Sequence, residues 1–282
     1  MKKTLTVLMA AAMLLTAVSC GKDGKKTFSD EAAPNVTAEI TTKSIEDILA
    51  EYTTTAEELE KQISEMKETA MERVDLTAQK LQNYEIPDDW KEMSDGRIKF
   101  LVPPDVEDKT TSKSKLIMGK FQNEDRSVAV TIMNGNDWNE HYEAEAEDED
   151  DYFPEVSEEN VVKAFKELGI DYDGTRTSFY KAVLSFTSAD RTDENAKAFD
   201  TAALAKGLCF LTFPEVFYGD HDGHDVYAHG YPPINSLGKK SKDSDCKFWV
   251  GAFADSNTEY TLMVTARSRE EALMICSTIT FC

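Results

Sequence analysis

Three of the four histidines of this 282-residue chain lie in one short segment, residues 218–229, which reads Tyr-Gly-Asp-His-Asp-Gly-His-Asp-Val-Tyr-Ala-His. Imidazole and carboxylate groups are ligands that suit zinc and other transition metals. The segment is therefore the strongest candidate for a metal site in the sequence. A metal-dependent hydrolase or a metal-binding protein is the kind of function that such a site would support.

The spacing within this segment limits what it can hold. Asp222-Gly223 is the favoured pair for a two-residue type I′ turn, so the segment predicts a β-hairpin. In that register His221 faces His224 with Cβ atoms ~5 Å apart, and the pair offers two ligands. His229 is five residues beyond His224, and an odd separation places it on the other face of the strand. The alternatives are a two-histidine metal site and a solvated hairpin tip.

Other sequence patterns that could support binding or catalysis are weaker. Residues 143–151 form an almost unbroken acidic run, but they have neither the ligand intervals nor the bend glycine of a calcium loop. Residues 238–241, Gly-Lys-Lys-Ser, lack the upstream glycine of a phosphate loop, and no G-x-S-x-G nucleophile motif is present. With no catalytic constellation in the sequence, we favour a non-enzymatic binding or interaction module whose ligand stays open.

The first twenty residues carry an export signal. Lys2 and Lys3 precede an apolar stretch, residues 5–17, which is too short for a bilayer-spanning helix of about 20 residues. The segment Leu15-Thr16-Ala17-Val18-Ser19-Cys20 then resembles a lipobox, although Ala17 stands where leucine is usual. We therefore predict that residues 1–19 are a signal peptide and that Cys20 is lipidated. The alternative is an ordinary secretory signal cleaved near Ser19.

These features predict a protein anchored to the cell envelope by acyl chains and facing outside the cytoplasm. The chain has 31 basic and 53 acidic residues, a net charge of −22. Because nucleic-acid binding requires a basic surface, the charge excludes that class of partner. An anionic membrane would also repel the body of the protein, so we expect membrane contact through the anchor only. The partner is an unknown protein or small molecule, and the sequence implies no cofactor beyond the zinc considered above.

The four remaining cysteines are Cys209, Cys246, Cys276 and Cys282. An even number of cysteines outside the cytoplasm permits disulfides, with three possible pairings, and the sequence does not choose among them. The oligomeric state and the type of envelope, Gram-positive or Gram-negative, also stay open.

Residues 20–43 contain few large apolar side chains and are predicted to be a disordered tether. From residue 44 to residue 82 apolar residues recur every three or four positions, and neither glycine nor proline intervenes before Pro87. This pattern predicts a long helix, or two, in a stalk covering residues 44–86. We expect the globular domain to occupy residues 87–282 and to fold without the stalk.

Within that domain, alternating and helical patterns follow one another in a mixed order. The predicted strands are 97–102, 115–121, 127–133, 210–218, 225–228, 246–254, 260–266 and 279–281. The predicted helices lie between Ser157 and Gly169, over 178–186, over 200–209 and after a capping box at 268–271. This order predicts an α+β fold.

Two segments are similar to the PsbP-like family, which includes the photosystem II extrinsic protein and the Mog-type Ran-binding protein. Gly96-Arg97-Ile98-Lys99-Phe100-Leu101-Val102-Pro103-Pro104 resembles the opening strand of that family. Residues 260–281, from Tyr-Thr-Leu-Met-Val to Ser-Thr-Ile-Thr-Phe, resemble its closing strand and helix. The resemblance implies a three-layer αβα sandwich around an antiparallel sheet, here preceded by the long N-terminal helix. It implies no enzymatic activity.

Overall fold

The computed structural model of the protein describes residues 56–111, 117–135, 153–231 and 246–282. The signal peptide, Cys20, the tether and the first part of the expected stalk lie outside the described residues. So does the acidic run at 143–151.

The helices begin and end at recognisable sequence signals. They are α1 (Ala56–Met71), α2 (Glu158–Leu168), α3 (Arg176–Leu184), α4 (Ala196–Cys209) and α5 (Arg269–Ser277). Ser157 caps α2 by accepting a hydrogen bond from the Asn160 amide, and Gly169 ends that helix with a φ of 70°. Ser268 caps α5 in the same way, but the Glu271 carboxylate accepts from the Arg267 amide rather than from the Ser268 amide. The expected capping box is therefore only half formed.

Eleven strands are described: β1 (Ala78–Lys80), β2 (Lys91–Ser94), β3 (Ile98–Val102), β4 (Glu107–Asp108), β5 (Ile117–Gln122), β6 (Ala129–Asn134), β7 (Glu215–His221), β8 (His224–Gly230), β9 (Lys247–Phe253), β10 (Glu259–Thr265) and β11 (Thr280–Phe281). Eight form one sheet in the order β1-β7-β8-β9-β10-β6-β5-β4, and three form a second sheet in the order β11-β3-β2. With its helices and mixed sheet, the fold is α+β, as the sequence predicts.

The large sheet separates two hydrophobic cores, because alternate residues of β7, β8 and β9 belong to different cores. The helix-side core lies under α1 to α4 and includes Val216, Tyr227 and Phe253 of the sheet. The opposite-side core lies under α5 and the small sheet and includes Phe217 and Val226.

The N-terminal part of the described chain differs from the expected helix. α1 ends at Met71 instead of continuing to Gln82, and Ala78–Lys80 forms strand β1. This strand pairs in parallel with β7, so the sheet is mixed and the expectation of a purely antiparallel sheet is wrong. The pairing with β7 supplies backbone hydrogen bonds to residues 78–80. Helical spacing in the sequence gives no sign of this partner, so tertiary context overrides local propensity here.

Residues 56–86, which we call the strap, pack on both sides of the large sheet. Ala70 and Val74 are buried in the helix-side core, whereas Leu81 is buried in the opposite-side core. A Cβ at Gly207 of α4 would overlap the backbone carbonyl of Ala70, so the two helices meet at that glycine. Residues before and after position 87 therefore share both cores, and autonomous folding of 87–282 stays a prediction.

Candidate functional site

The hairpin formed by β7 and β8 has the predicted turn and register. Asp222 and Gly223 have φ angles of 56° and 84°, as a type I′ turn requires. His221 pairs directly with His224. His229 pairs with Val216 and lies on the helix-side face, away from the other two histidines. The local geometry deduced from the sequence is confirmed.

The two hairpin imidazoles are held by different parts of the fold. The Nδ1 atom of His221 is hydrogen-bonded to the carbonyl oxygen of Ile279, between α5 and β11. The Nδ1 atom of His224 lies 3.2 Å from the carbonyl oxygen of Phe253 on β9, and its ring contacts Phe281 with centroids 4.5 Å apart. Both rings thus connect the hairpin tip to neighbouring strands and to the C-terminal segment.

Each ring has one nitrogen left for other chemistry. If Nδ1 donates its proton to the carbonyl, Nε2 of each ring carries the lone pair that a metal would bind. The Nε2 atom of His221 lies only 2.6 Å from the position that a Cβ of Gly219 would occupy, beside Leu81. It therefore faces the sheet surface. Among the described residues, no group of three or more His, Cys, Asp and Glu side chains is placed to hold a metal ion.

Next to the turn, the other face of the hairpin carries a polar cluster. Tyr218 donates a hydrogen bond of 2.8 Å to Asp225, and Lys181 of α3 forms an ion pair of 2.7 Å with the same carboxylate. Burial, followed by the contact with Asp225, raises the pKa of Tyr218 to about 12. The cluster ties α3 to the hairpin and leaves the tyrosine protonated at neutral pH.

His229 lies deeper on the same face, in an environment that the sequence did not reveal. Its side chain is 2 % exposed and is surrounded by the rings of Tyr180, Phe210 and Phe213, with centroids 5.1 to 5.6 Å away. Neither ring nitrogen has a hydrogen-bond partner among the described residues. Burial lowers the pKa of His229 from 6.5 to about 3, so the ring is neutral at physiological pH.

A buried ion pair also joins α3 to the large sheet. Arg176 at the start of α3 forms a contact of 2.5 Å with Glu259 of β10, and the two side chains are 13 % and 4 % exposed. The Glu259 carboxylate lies over Gly251 of β9, where a Cβ would come within 3.0 Å of it. Sequence reasoning missed this pair, because a glutamate that begins a strand has no local signal of burial.

Lys206 is a further buried charge on the helix side. Its ammonium group donates a hydrogen bond of 2.6 Å to the Phe186 carbonyl and lies 4.8 Å from the centre of the Phe186 ring. Burial lowers the pKa of Lys206 from 10.5 to about 8, and the nearby carboxylates of Asp75 and Asp190 counteract this effect in part. The lysine fastens α4 to the chain just beyond α3. It was missed because its neighbours in the sequence predict only a helix.

The cysteines fall on different sides of the sheet. Cys209 is buried in the helix-side core and Cys276 in the opposite-side core, so these two thiols do not pair with each other. Burial raises the pKa of both thiols far above the ordinary range, which makes them poor nucleophiles. The exposed Cys282 has its Sγ atom 3.2 Å from the Ser94 hydroxyl.

None of the helices in the described ranges is long and apolar enough to cross a membrane. No protein-family model matches the chain, and neither does any curated protein.

Proposed function

We propose that the protein is an envelope-anchored lipoprotein whose folded part is a non-enzymatic binding or interaction module. The observation that carries the proposal is that several ionisable groups of the described fold, buried or held at the hairpin, form contacts within the protein. Arg176 and Glu259 neutralise each other, Lys206 donates to a main-chain carbonyl, and the hairpin imidazoles contact two further carbonyls. Each of these groups joins one element of the fold to another, which is a structural role.

The proposed anchor is Cys20, and the proposed orientation places the module outside the cytoplasm. The support is the pattern of charged, apolar and small residues in 1–20, which matches an export signal followed by a cysteine. Acyl chains contribute ~0.8 kcal/mol per buried CH₂, and stable attachment takes two membrane signals. The acidic composition favours a module that stands off an anionic membrane.

For the fold we propose a three-layer αβα sandwich of the PsbP-like type. The two segments that resemble that family come together in space, because β11 pairs with β3 through Thr280 opposite Lys99 and Phe281 opposite Ile98. The Leu101 amide also donates to the Thr278 hydroxyl at 2.9 Å. Helices α1 to α4 supply one outer layer, and α5 with the small sheet supplies the other.

Metabolic labelling with palmitate tests the anchor. Wild-type protein should incorporate the label and fractionate with membranes. Cys20→Ser should abolish labelling and either release the protein or block its processing. Cys282→Ser is a matched control, since Cys282 is an exposed cysteine outside the signal segment 1–20, and this variant should label normally. Unchanged labelling of Cys20→Ser would refute the lipoprotein assignment.

Capture of a partner tests the binding role. Immobilised protein starting at Ala56 should retain one or a few components of a native envelope extract in a saturable manner, and excess free protein should compete for them. The heat-unfolded protein should retain none of them. If the folded protein retains nothing that the unfolded protein does not, the binding role fails.

A second candidate function is a metal-binding protein or a metal-dependent hydrolase that uses His221 and His224. The observation in its favour is that both Nδ1 atoms contact carbonyl oxygens, an arrangement that metal-binding histidines often share. Elemental analysis of purified protein, including zinc, distinguishes the candidates. We expect no stoichiometric metal in the wild type. A metal that is lost in His221→Ala and kept in His229→Phe would reverse our ranking.

A further inference from the structure

We draw no further inference here: the strongest candidate, the face of the eight-stranded sheet beyond the helices where Trp249, Met263 and Thr131 lie side by side on β9, β10 and β6, carries none, because nothing in the structure shows what covers it.

Discussion

The two sides of the large sheet are built from different kinds of residue. The described buried polar side chains are Asn123, Thr177, Lys206, His229, Glu259 and Thr261. Asn123 lies in the turn between β5 and β6, and the other five belong to the helix side. The opposite-side core is filled by aliphatic and aromatic side chains, together with the Cys276 thiol.

This difference follows from which elements meet on each side. Three described helices, α1, α2 and α3, pack around α4 on the helix side, whereas α5 and the small sheet cover the other side. Lys206 donates to the Phe186 carbonyl just beyond α3, and Arg176 pairs with Glu259 of β10. These contacts offset the cost of burying the two charges. On the other side, strands β3 and β9 contribute apolar residues in strict alternation. Among the described residues, buried polar and charged side chains are therefore concentrated on the helix side.

The strap contributes side chains to both sides of the large sheet, and its removal should have the largest effect. A chain starting at Tyr84 loses Ala70 and Val74 from the helix-side core and Leu81 from the opposite-side core. It also loses β1, which covers the β7 edge. We expect this shortened chain to stay soluble and to unfold cooperatively at a clearly lower temperature than a chain starting at Ala56. Calorimetry measures the shift.

An insoluble or molten product would show that the strap completes both cores and that the domain does not begin near residue 87.

Gly207→Ala tests the docking of α1 on α4 with the full chain. Alanine inside a helix ordinarily stabilises by about 0.5–1 kcal/mol relative to glycine. Here its Cβ would overlap the Ala70 carbonyl, and overpacking costs typically about 1–3 kcal/mol. A stabilised Gly207→Ala variant would contradict the close packing of α1 on α4.

Breaking the buried ion pair of Arg176 and Glu259, which lies on the helix side, should cause the next largest loss of stability. Glu259→Ala leaves the Arg176 guanidinium buried without its carboxylate. Removing one partner of a buried pair costs about 3–5 kcal/mol. We expect a loss of this size in urea unfolding at pH 7, whereas the double variant Arg176→Met/Glu259→Leu should lose much less.

The exposed pair of Arg191 and Asp200, with side chains 44 % and 51 % exposed, is the matched control. Asp200→Ala should cost at most about 1 kcal/mol, because surface ion pairs contribute little. Equal losses for Glu259→Ala and Asp200→Ala would mean that the pair on the helix side is not buried in solution.

His229 should make the helix side sensitive to acid. The folded protein holds this imidazole neutral down to about pH 3, whereas the unfolded chain binds a proton at its ordinary pKa of 6.5. The unfolded state therefore binds more protons in this window, and stability decreases as the pH falls below 6.5. At pH 5 this linkage lowers the free energy of unfolding by about 2 kcal/mol relative to neutral pH.

His229→Phe should remove this contribution and fit among the surrounding rings. We expect its stability relative to wild type to be about 2 kcal/mol better at pH 5 than at pH 7.5, measured by urea unfolding at both values. If the difference between the two proteins is the same at both pH values, His229 is not buried as described.

Lys206 should affect stability at the alkaline end of the pH range. Its pKa is about 8 in the folded protein and 10.5 when unperturbed, so between these values the unfolded chain binds more protons. Its contribution to stability therefore rises with pH across this window. Lys206→Met should remove that rise, whereas Lys197→Met, at an exposed position of the same helix, should preserve it. Melting temperatures from pH 7.5 to 10.5 provide the comparison, and a rise that persists in Lys206→Met would exclude Lys206 as its source.

Much of the local structure could be predicted without coordinates. The hairpin turn, the pairing of His221 with His224 and the placement of His229 on the other face all follow from turn chemistry and from a side-chain period of two. Both ends of α2 follow from Ser157 and Gly169. These features depend on residues within a few positions of one another, so the sequence by itself determined them.

Other features depend on contacts between distant residues, and only the tertiary structure decided them. Helical spacing in the strap did not show that Ala78–Lys80 would pair with β7, about 140 residues away. His229, Lys206 and Glu259 are buried by residues that are distant from them in the sequence, and nothing in their local sequence indicates this burial. Propensity and periodicity report the preferences of a segment, whereas burial and pairing depend on what packs against it.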